Sequence, residues 1–277
     1  MSQIFFPKNS LFLKCDQRVG RWAIPYNFEC LNARVENLLW NQRHAIQGQT
    51  ILDIGSHIGT FAFAALKMGA KFVYSIDLEE HLLIQAEELF EIHGVDKSRY
   101  RFEVADAADF MTSLGENKYD TVFCFGLLYY CPDPFRTLQL MSKVVKKNIL
   151  MDTFTATYAA VQGSDSEFIR NNLGEGSLDL PIMLTVPTQS QKKDYRLTSS
   201  FSKKGKPLSL TNYPSLRLIE TWLESLEMNW SPIDWTPYAR NFKTWQDLIT
   251  HEQKMASHWT DVYTSGIRTS FRIYPKP

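Results

Sequence analysis

The chain has 277 residues, enough to bury a full core, and its 44% hydrophobic and 22% charged residues are the make-up of a globular protein. Its 30 Lys and Arg balance 30 Asp and Glu, so net charge says nothing for or against a nucleic-acid partner, and such a case must rest on local patches. Residues 1–14 lack a basic start and are broken by Pro7 and Lys8, which argues against a signal peptide, and no uncharged apolar run approaches the length of a membrane span. Cys15, Cys30, Cys124 and Cys131 form no C-x-x-C pair, so neither a disulfide framework nor a zinc site is expected, and the expected compartment is the reducing cytoplasm.

In chain order, residues 1–29 are irregular and aromatic, with Phe5, Phe6, Phe12, Trp22, Tyr26 and Phe28. Residues 31–47 predict a helix with Leu31, Val35, Leu38 and Leu39 on its apolar face and Arg34, Glu36 and Asn37 elsewhere on the wheel; Gly48 closes it. The segment 1–47 reads either as a lid across a ligand site or as a cover for the sheet edge. Residues 50–54 are short, apolar and β-branched, a buried strand, and open through Gly55 and Gly59 into a helix over 60–68. A strand over 71–76 then ends at Asp77, followed by a helix over 79–93 that opens on acids and stops at Gly94. A third strand, 100–104, ends near Asp106, with a short helix from Ala107; a fourth, 120–125, closes at Gly126. A helix over 133–147 with a basic last turn leads to a fifth strand, 148–152. This alternation predicts a parallel sheet with helices on both faces.

The rhythm breaks at 155–212, rich in Ser, Thr, Lys, Gly and Pro, which reads as an insertion over the active face. A helix over 213–227 follows, with Leu216, Ile219, Trp222, Leu223 and Leu226 on its apolar side, then a sixth strand at 230–235. Residues 242–263 read as mostly helical, and Gly266 introduces a final strand, 267–274. The expected organisation is an N-terminal segment and helix over 1–47 and one domain over 48–277 carrying the insertion.

The chemistry concentrates at strand ends. The Gly55–Gly59 turn lets backbone approach a ligand and aims a helix N-terminus at it. The spacing D-x-G-x-x-x-G has neither the G-x-G-x-x-G of dinucleotide binders nor the G-K-[ST] of a phosphate loop. Asp53, in the last turn of its strand, repels pyrophosphate and suits an ammonium or an ordered water. Asp77, 24 positions on, stands where such folds place an acid for both ribose hydroxyls. Asp106 can accept from an adenine amino group while the Ala107 N–H meets a ring nitrogen. Each acid alone is equally well explained as a helix cap; three in register point to one crevice.

The run 51–152, with D53-I-G55-S-H-I-G59, S75-I-D77, V104-A-D106-A and Y119-D120-T-V-F-C-F-G126, resembles the class I S-adenosylmethionine (SAM)-dependent methyltransferases. The resemblance implies a Rossmann-like α/β fold: a seven-stranded, mostly parallel sheet with an antiparallel last strand and helices on both faces. It further implies a cofactor set of Asp53, Gly55, Ser56, His57 and Gly59 at the methionine end, Asp77 and Leu78 at the ribose, Asp106 and Ala107 at the adenine, and Phe125 beside them, with S-adenosylhomocysteine as product. His57 stands where many members carry a small residue, and it either contacts the SAM carboxylate or packs as an ordinary imidazole. The segment from Gly126 to Leu138, G-L-L-Y-Y-C-P-D-P-F-R-T-L, resembles the branch that includes the tRNA uridine-5-oxyacetate carboxymethyltransferase, with Tyr130 in the place of a frequent histidine.

Methyl transfer from a sulfonium is an in-line displacement that needs chiefly near-attack geometry, and a base only when the acceptor carries a proton. Tyr129, Tyr130 and Asp152 are the catalytic candidates, the tyrosines by stacking or hydrogen bonding and Asp152 by touching the acceptor; packing competes for the tyrosines, and Asp133 reads as a helix cap. Phe125 and Gly126 occupy the place of a metal-binding acid, so no metal is expected. The leading expectation is metal-independent O- or N-methylation of a small-molecule or natural-product acceptor in the cytoplasm, with no membrane involvement. One alternative is carboxymethyl or methyl transfer to a tRNA uridine, for which Arg21, Arg34 or the insertion would supply a cation. Another is a non-catalytic SAM-binding module, against which the intact acid and glycine set speaks. The basic run Lys192, Lys193, Arg196, Lys203, Lys204, Lys206 and Arg217 reads either as a solvated loop or as a lid that attracts an anionic acceptor.

Overall fold

The computed structural model describes residues 5–16, 25–162, 166–174, 176–189, 202–203, 206–249 and 258–276. After a single turn of helix, α1 (Leu11–Lys14), helix α2 (Phe28–Val35) runs directly into a π turn at Glu36–Trp40. Asn27 caps α2 by accepting from the Cys30 N–H. Leu31, Val35, Leu38 and Leu39 are all fully buried, as their spacing predicts. Arg34 and Asn37 are buried as well, at 1% and 4% exposure, which corrects their placement off the apolar face. Both carry polar ends that find partners across the fold: Arg34 donates to Asp152, and Asn37 Nδ2 donates to the Asp234 carbonyl.

The alternating unit then runs β1 (Thr50–Ile54), α3 (Thr60–Lys67), β2 (Phe72–Asp77), α4 (Glu80–Ile92), β3 (Tyr100–Val104), α5 (Ala107–Ser113), β4 (Tyr119–Phe125), α6 (Pro134–Val144) and β5 (Val145–Phe154). Within each strand, side-chain alternation divides the core between two faces. Ile51, Phe123 and Leu150 join a cluster with α2 and α3, whereas Leu52, Val122, Cys124 and Met151 join one with α6. Strand β5 is ten residues long and begins at Val145, where a helix end was expected. Tyr119 pairs with Val145 across an irregularity in register, so Lys146 and Lys147 lie on an extended, exposed strand start rather than in a helical last turn.

The region 155–212 has structure of its own: α7 (Ala156–Val161), α8 (Ser166–Asn172), β6 (Met183–Gln189), the two-residue β7 (Ser202–Lys203) and β8 (Lys206–Pro214). Strands β6, β8 and β7 form a separate three-stranded antiparallel sheet. Helix α9 (Leu216–Ser225) is capped by Ser215 and buries Ile219 and Leu223; Leu216, expected on the apolar side, is exposed. The sixth strand of the main sheet is β9 (Met228–Pro232). In place of a long helix over 242–263, the described residues show a 3₁₀ turn at Gln246–Leu248 and the one-turn α10 (Asp261–Thr264). Asp247 accepts from both the N–H and hydroxyl of Thr244, a capping arrangement at the start of the 3₁₀ turn.

Strand β10 (Arg268–Pro275) completes a seven-stranded sheet of order β3-β2-β1-β4-β5-β10-β9. β1 to β5 are parallel and β10 runs antiparallel to both neighbours, the architecture the resemblance implies. The order reverses at β1, so the carboxyl ends of β1 and β4 flank the crevice in which such sheets bind ligands.

Candidate active site

At the end of β1 the chain turns sharply enough to need three left-handed residues, Gly55 (φ 69°), His57 (φ 54°) and Gly59 (φ 69°). A side chain at Gly55 would meet Leu127 at 3.0 Å, and one at Gly59 would meet Phe90 and Phe102 at 3.0 Å. Glycine at these two places therefore serves both backbone angle and space. His57 is half-buried and holds a conformation that costs an L-residue energy, which accounts for the small residue usual there in the family it resembles. Its N–H donates 2.9 Å to Asp77 Oδ2, while Asp77 Oδ1 accepts from the Glu79 N–H at 3.0 Å. Asp77 thus fastens the glycine turn to the start of α4 and remains only half-buried.

Asp53 is buried at 3% exposure, and among the described residues neither its Oδ2 nor the buried Oγ of neighbouring Ser56 has a hydrogen-bond partner. Burial and the nearby Asp77 charge together push the Asp53 carboxyl well above the usual carboxylate range. A buried carboxylate left unsatisfied is costly, and a cationic group arriving at this turn would relieve both causes. One strand further, Asp106 caps α5 by accepting from the Ala108 and Asp109 N–H groups at 2.8 and 3.0 Å, with Ala107 half-buried beside it. Leu78 is half-buried after Asp77, and Phe125 is buried against Phe61 at 4.8 Å between ring centres. Parallel pairing sets Asp77 opposite Val104, so the acids of β1, β2 and β3 share one sheet edge.

The other side of the crevice is built differently. Asp152 is fully buried and accepts from Arg34 Nη2 at 2.6 Å, from Arg268 Nη2 at 2.7 Å and Nε at 2.9 Å, and from Ser270 Oγ at 2.9 Å. Burial acts to raise this carboxyl, but Arg268 and Arg34 outweigh it and hold it below its ordinary range. The sequence places Asp152 toward an acceptor; in the structure its side chain is enclosed by two guanidinium groups and the hydroxyls of Ser270 and Tyr263. The Asp152 carbonyl accepts from the Gly126 N–H at 2.7 Å, and a side chain at Gly126 would meet Arg268 Nη2 at 3.3 Å and the Tyr129 hydroxyl at 3.5 Å. Tyr129 is buried at 4% exposure while Tyr130 is 46% exposed, and Asp133 caps α6 by accepting from the Arg136 N–H. The only sequence signal for Arg268 and Ser270 is their two-residue spacing in a strand, which puts both on one face. Arg21 and residues 190–201 lie outside the described residues, as do the side chains of Lys203, Lys204 and Lys206.

Residues 46–197, more than half of the chain, match the family described as methyltransferase domain; the chain belongs to this family. It is 25% identical over 119 residues to the tRNA U34 carboxymethyltransferase of Campylobacter lari, covering 42% of this chain and 39% of that protein. It is also 31% identical over 106 residues to the ubiquinone biosynthesis O-methyltransferase of Hydrogenovibrio crunogenus, covering 38% and 42%. The matched stretches span half or less of the length of these curated relatives. Among solved structures, an S-adenosylmethionine dependent methyltransferase from Mesorhizobium loti aligns over 88% of this chain and 99% of its own, at 15% identity and a TM-score of 0.53. The fold is the Rossmann-like fold of the SAM-dependent methyltransferases. Among the described residues no helix is long and apolar enough to cross a membrane, and no group of three or more His, Cys, Asp or Glu is placed to hold a metal.

Proposed function

We propose that this protein is a metal-independent enzyme that transfers a methyl group from SAM to oxygen or nitrogen of a small-molecule acceptor. The observation that carries the cofactor half is the buried, unpartnered Asp53 Oδ2 beside Ser56 at a glycine turn. Asp53 and Ser56, with the backbone of Gly55, His57 and Gly59, would hold the charged methionine end. Asp77 and Leu78 would take the ribose, Asp106 and Ala107 the adenine edge, and Phe125 would pack beside them. When bound, SAM supplies a methyl group already activated by its sulfonium. The chain's own part is then orientation: the Leu127–Gly55 contact fixes the loop after β4 over the cofactor turn, and Tyr129 faces the acceptor side. Asp152 is read as a positioning residue that holds Arg268 and the Gly126 N–H in place.

Native mass spectrometry of the purified protein, alone and after incubation with SAM, tests this reading. A complex with SAM or S-adenosylhomocysteine is expected, and failure of the folded protein to take up either overturns it.

A second reading, carboxymethyl transfer from carboxy-SAM to a tRNA uridine, is favoured by the 25% identity over 119 residues to a tRNA U34 carboxymethyltransferase. Preference for carboxy-SAM over SAM in the same mass measurement would select it.

A further inference from the structure

Helix α3 begins at the glycine turn and ends at Lys67, and the Gly69 carbonyl just beyond it accepts from the Gly48 N–H ahead of β1. The far end of α3 therefore lies at the opposite edge of the sheet from the cofactor crevice, about 12 Å along the helix. A pocket of about 400 Å³ opens there, within the range of small-molecule sites. Its walls are rings from three stretches of chain: Phe5 and Phe6 of the N-terminal segment, Trp40 of the π turn after α2, and Phe63 of α3. Phe5 lies 5.9 Å from Trp40, and Phe6 lies 5.9 Å from Phe63. The N-terminal wall is fixed, because the Phe5 and Phe6 N–H groups both donate to Asn32 Oδ1 while Asn32 Nδ2 donates to the Phe6 carbonyl. A site whose rings are already in place loses little freedom when a further ring enters.

Three polar side chains line the same pocket: Ser10, Lys67 and His93. Ser10 is the N-cap of α1, yet its hydroxyl makes no capping bond. His93 Nδ1 donates to the Leu89 carbonyl at 2.7 Å, which leaves Nε2 as the ring nitrogen for a ligand. Lys67 Nζ stands 5.4 Å over the Phe63 ring and has no acidic partner among the described residues. It is not spent on the helix end either, since the Leu66 and Ala70 carbonyls there accept from Arg99 Nη2 at 3.0 and 2.8 Å. A ring-walled pocket with a cation lacking a counter-ion and two further hydrogen-bonding groups suits an aromatic body that carries a negative charge.

We infer that this pocket is a second binding site, separate from the cofactor crevice, for a small aromatic carboxylate. The ligand's ring packs among Phe5, Trp40 and Phe63, and its carboxylate meets Lys67. Occupation of this site does not depend on the reaction performed at the crevice.

The purified protein is titrated, with and without SAH, with 2-naphthoate, the neutral 2-naphthylmethanol, octanoate and acetate, and binding is followed by ligand-observed NMR. 2-Naphthoate should bind about threefold more tightly than the alcohol, which lacks the charge, and about threefold more tightly than octanoate, which lacks the ring. Acetate, which has no apolar body, should bind at least about tenfold more weakly. SAH should leave all four affinities unchanged. The preference for acid over alcohol should vanish in Lys67→Met and survive in Lys67→Arg; Lys67 is exposed, and an unchanged thermal midpoint checks that both variants are folded. Binding of no probe, equal binding of acid and alcohol, tighter binding of octanoate, acetate matching naphthoate, or a preference that persists in Lys67→Met overturns the inference. Displacement of 2-naphthoate by SAH would put the probe in the crevice and overturns it as well.

Discussion

Two buried aspartates sit on opposite sides of one crevice, and their environments are opposite. Asp152, at the end of β5, is surrounded by donors from two arginines, Ser270 and Tyr263, and its carboxyl is held low. Asp53, at the end of β1, has an oxygen with no hydrogen-bond partner among the described residues, and its carboxyl is pushed up. Burial is equal, so burial does not distinguish structure from site. What distinguishes them is whether the protein itself completes the hydrogen bonds. Asp152 is a joint between α2, β5 and β10, whereas Asp53 keeps an unsatisfied oxygen at the glycine turn, where we propose that the charged end of the cofactor is held.

The sharpest way to break this contrast is to remove Asp152. Asp152→Ala leaves Arg34 and Arg268 facing each other in the core without a counter-charge, and stability should fall by about 3–5 kcal/mol. Thermal or urea unfolding measures this directly, and a loss under about 1 kcal/mol would show that the joint is not structural. The linkage sign follows from the lowered carboxyl: its contribution is present above the ordinary Asp range and is lost as pH falls through the folded value.

Asp77→Ala should come next. Charge-assisted hydrogen bonds contribute about 1.5–3 kcal/mol each, so SAH should bind at least about tenfold more weakly by calorimetry. An unchanged dissociation constant with the fold intact would remove the ribose assignment.

Asp53→Asn sharpens the contrast because it should act in opposite directions on stability and binding. The raised carboxyl gives stability that is full below the unfolded value and lost as pH rises through the folded one. At neutral pH the ligand-free variant should therefore melt higher than the wild type, while the stabilisation produced by SAH should shrink. In the wild type, SAH affinity should climb as pH rises from acid, and the variant should lack that part of the slope. A variant that melts lower and keeps full SAH stabilisation would make Asp53 an ordinary core acid.

The smallest effect is expected at the turn. His57→Gly relieves a left-handed residue, which costs about 1–2 kcal/mol, but adds backbone freedom to the unfolded chain worth about 0.5–1 kcal/mol. The net should be a gain below about 1 kcal/mol in denaturant unfolding, with SAH affinity changed by less than threefold. A large loss would mean that the imidazole supplies a contact the turn depends on.

What the sequence revealed follows the same division. The strand ends at Asp53, Asp77 and Asp106 are legible because β-α alternation fixes which residues close each strand, and Gly55 and Gly59 mark the turn by residue type alone. Arg34 was hidden because a charged residue in an amphipathic helix is ordinarily read as solvated, and its partner lies 118 positions away. Arg268 was hidden for the same reason, within a strand whose inward face cannot be assigned until its neighbours are known. The β6–β8 hairpin escaped notice because Ser, Thr and Lys dominate its connection, the composition of a loop. Of the helix expected over 242–263, the described residues show only the turns at Gln246–Leu248 and Asp261–Thr264, and 250–257 lie outside them.

The Asp152 joint also sets an order of events during synthesis. Arg34 precedes Asp152 by 118 residues and Arg268 follows it by 116. At ordinary ribosomal speeds, on the order of ten seconds separate the emergence of β5 from that of β10. Throughout that interval the Arg34–Asp152 pair has neither Arg268 nor the covering strand, so β5 is an open sheet edge bearing a half-built ion cluster. Arrival of β10 both closes that edge and brings Arg268 and Ser270 to Asp152.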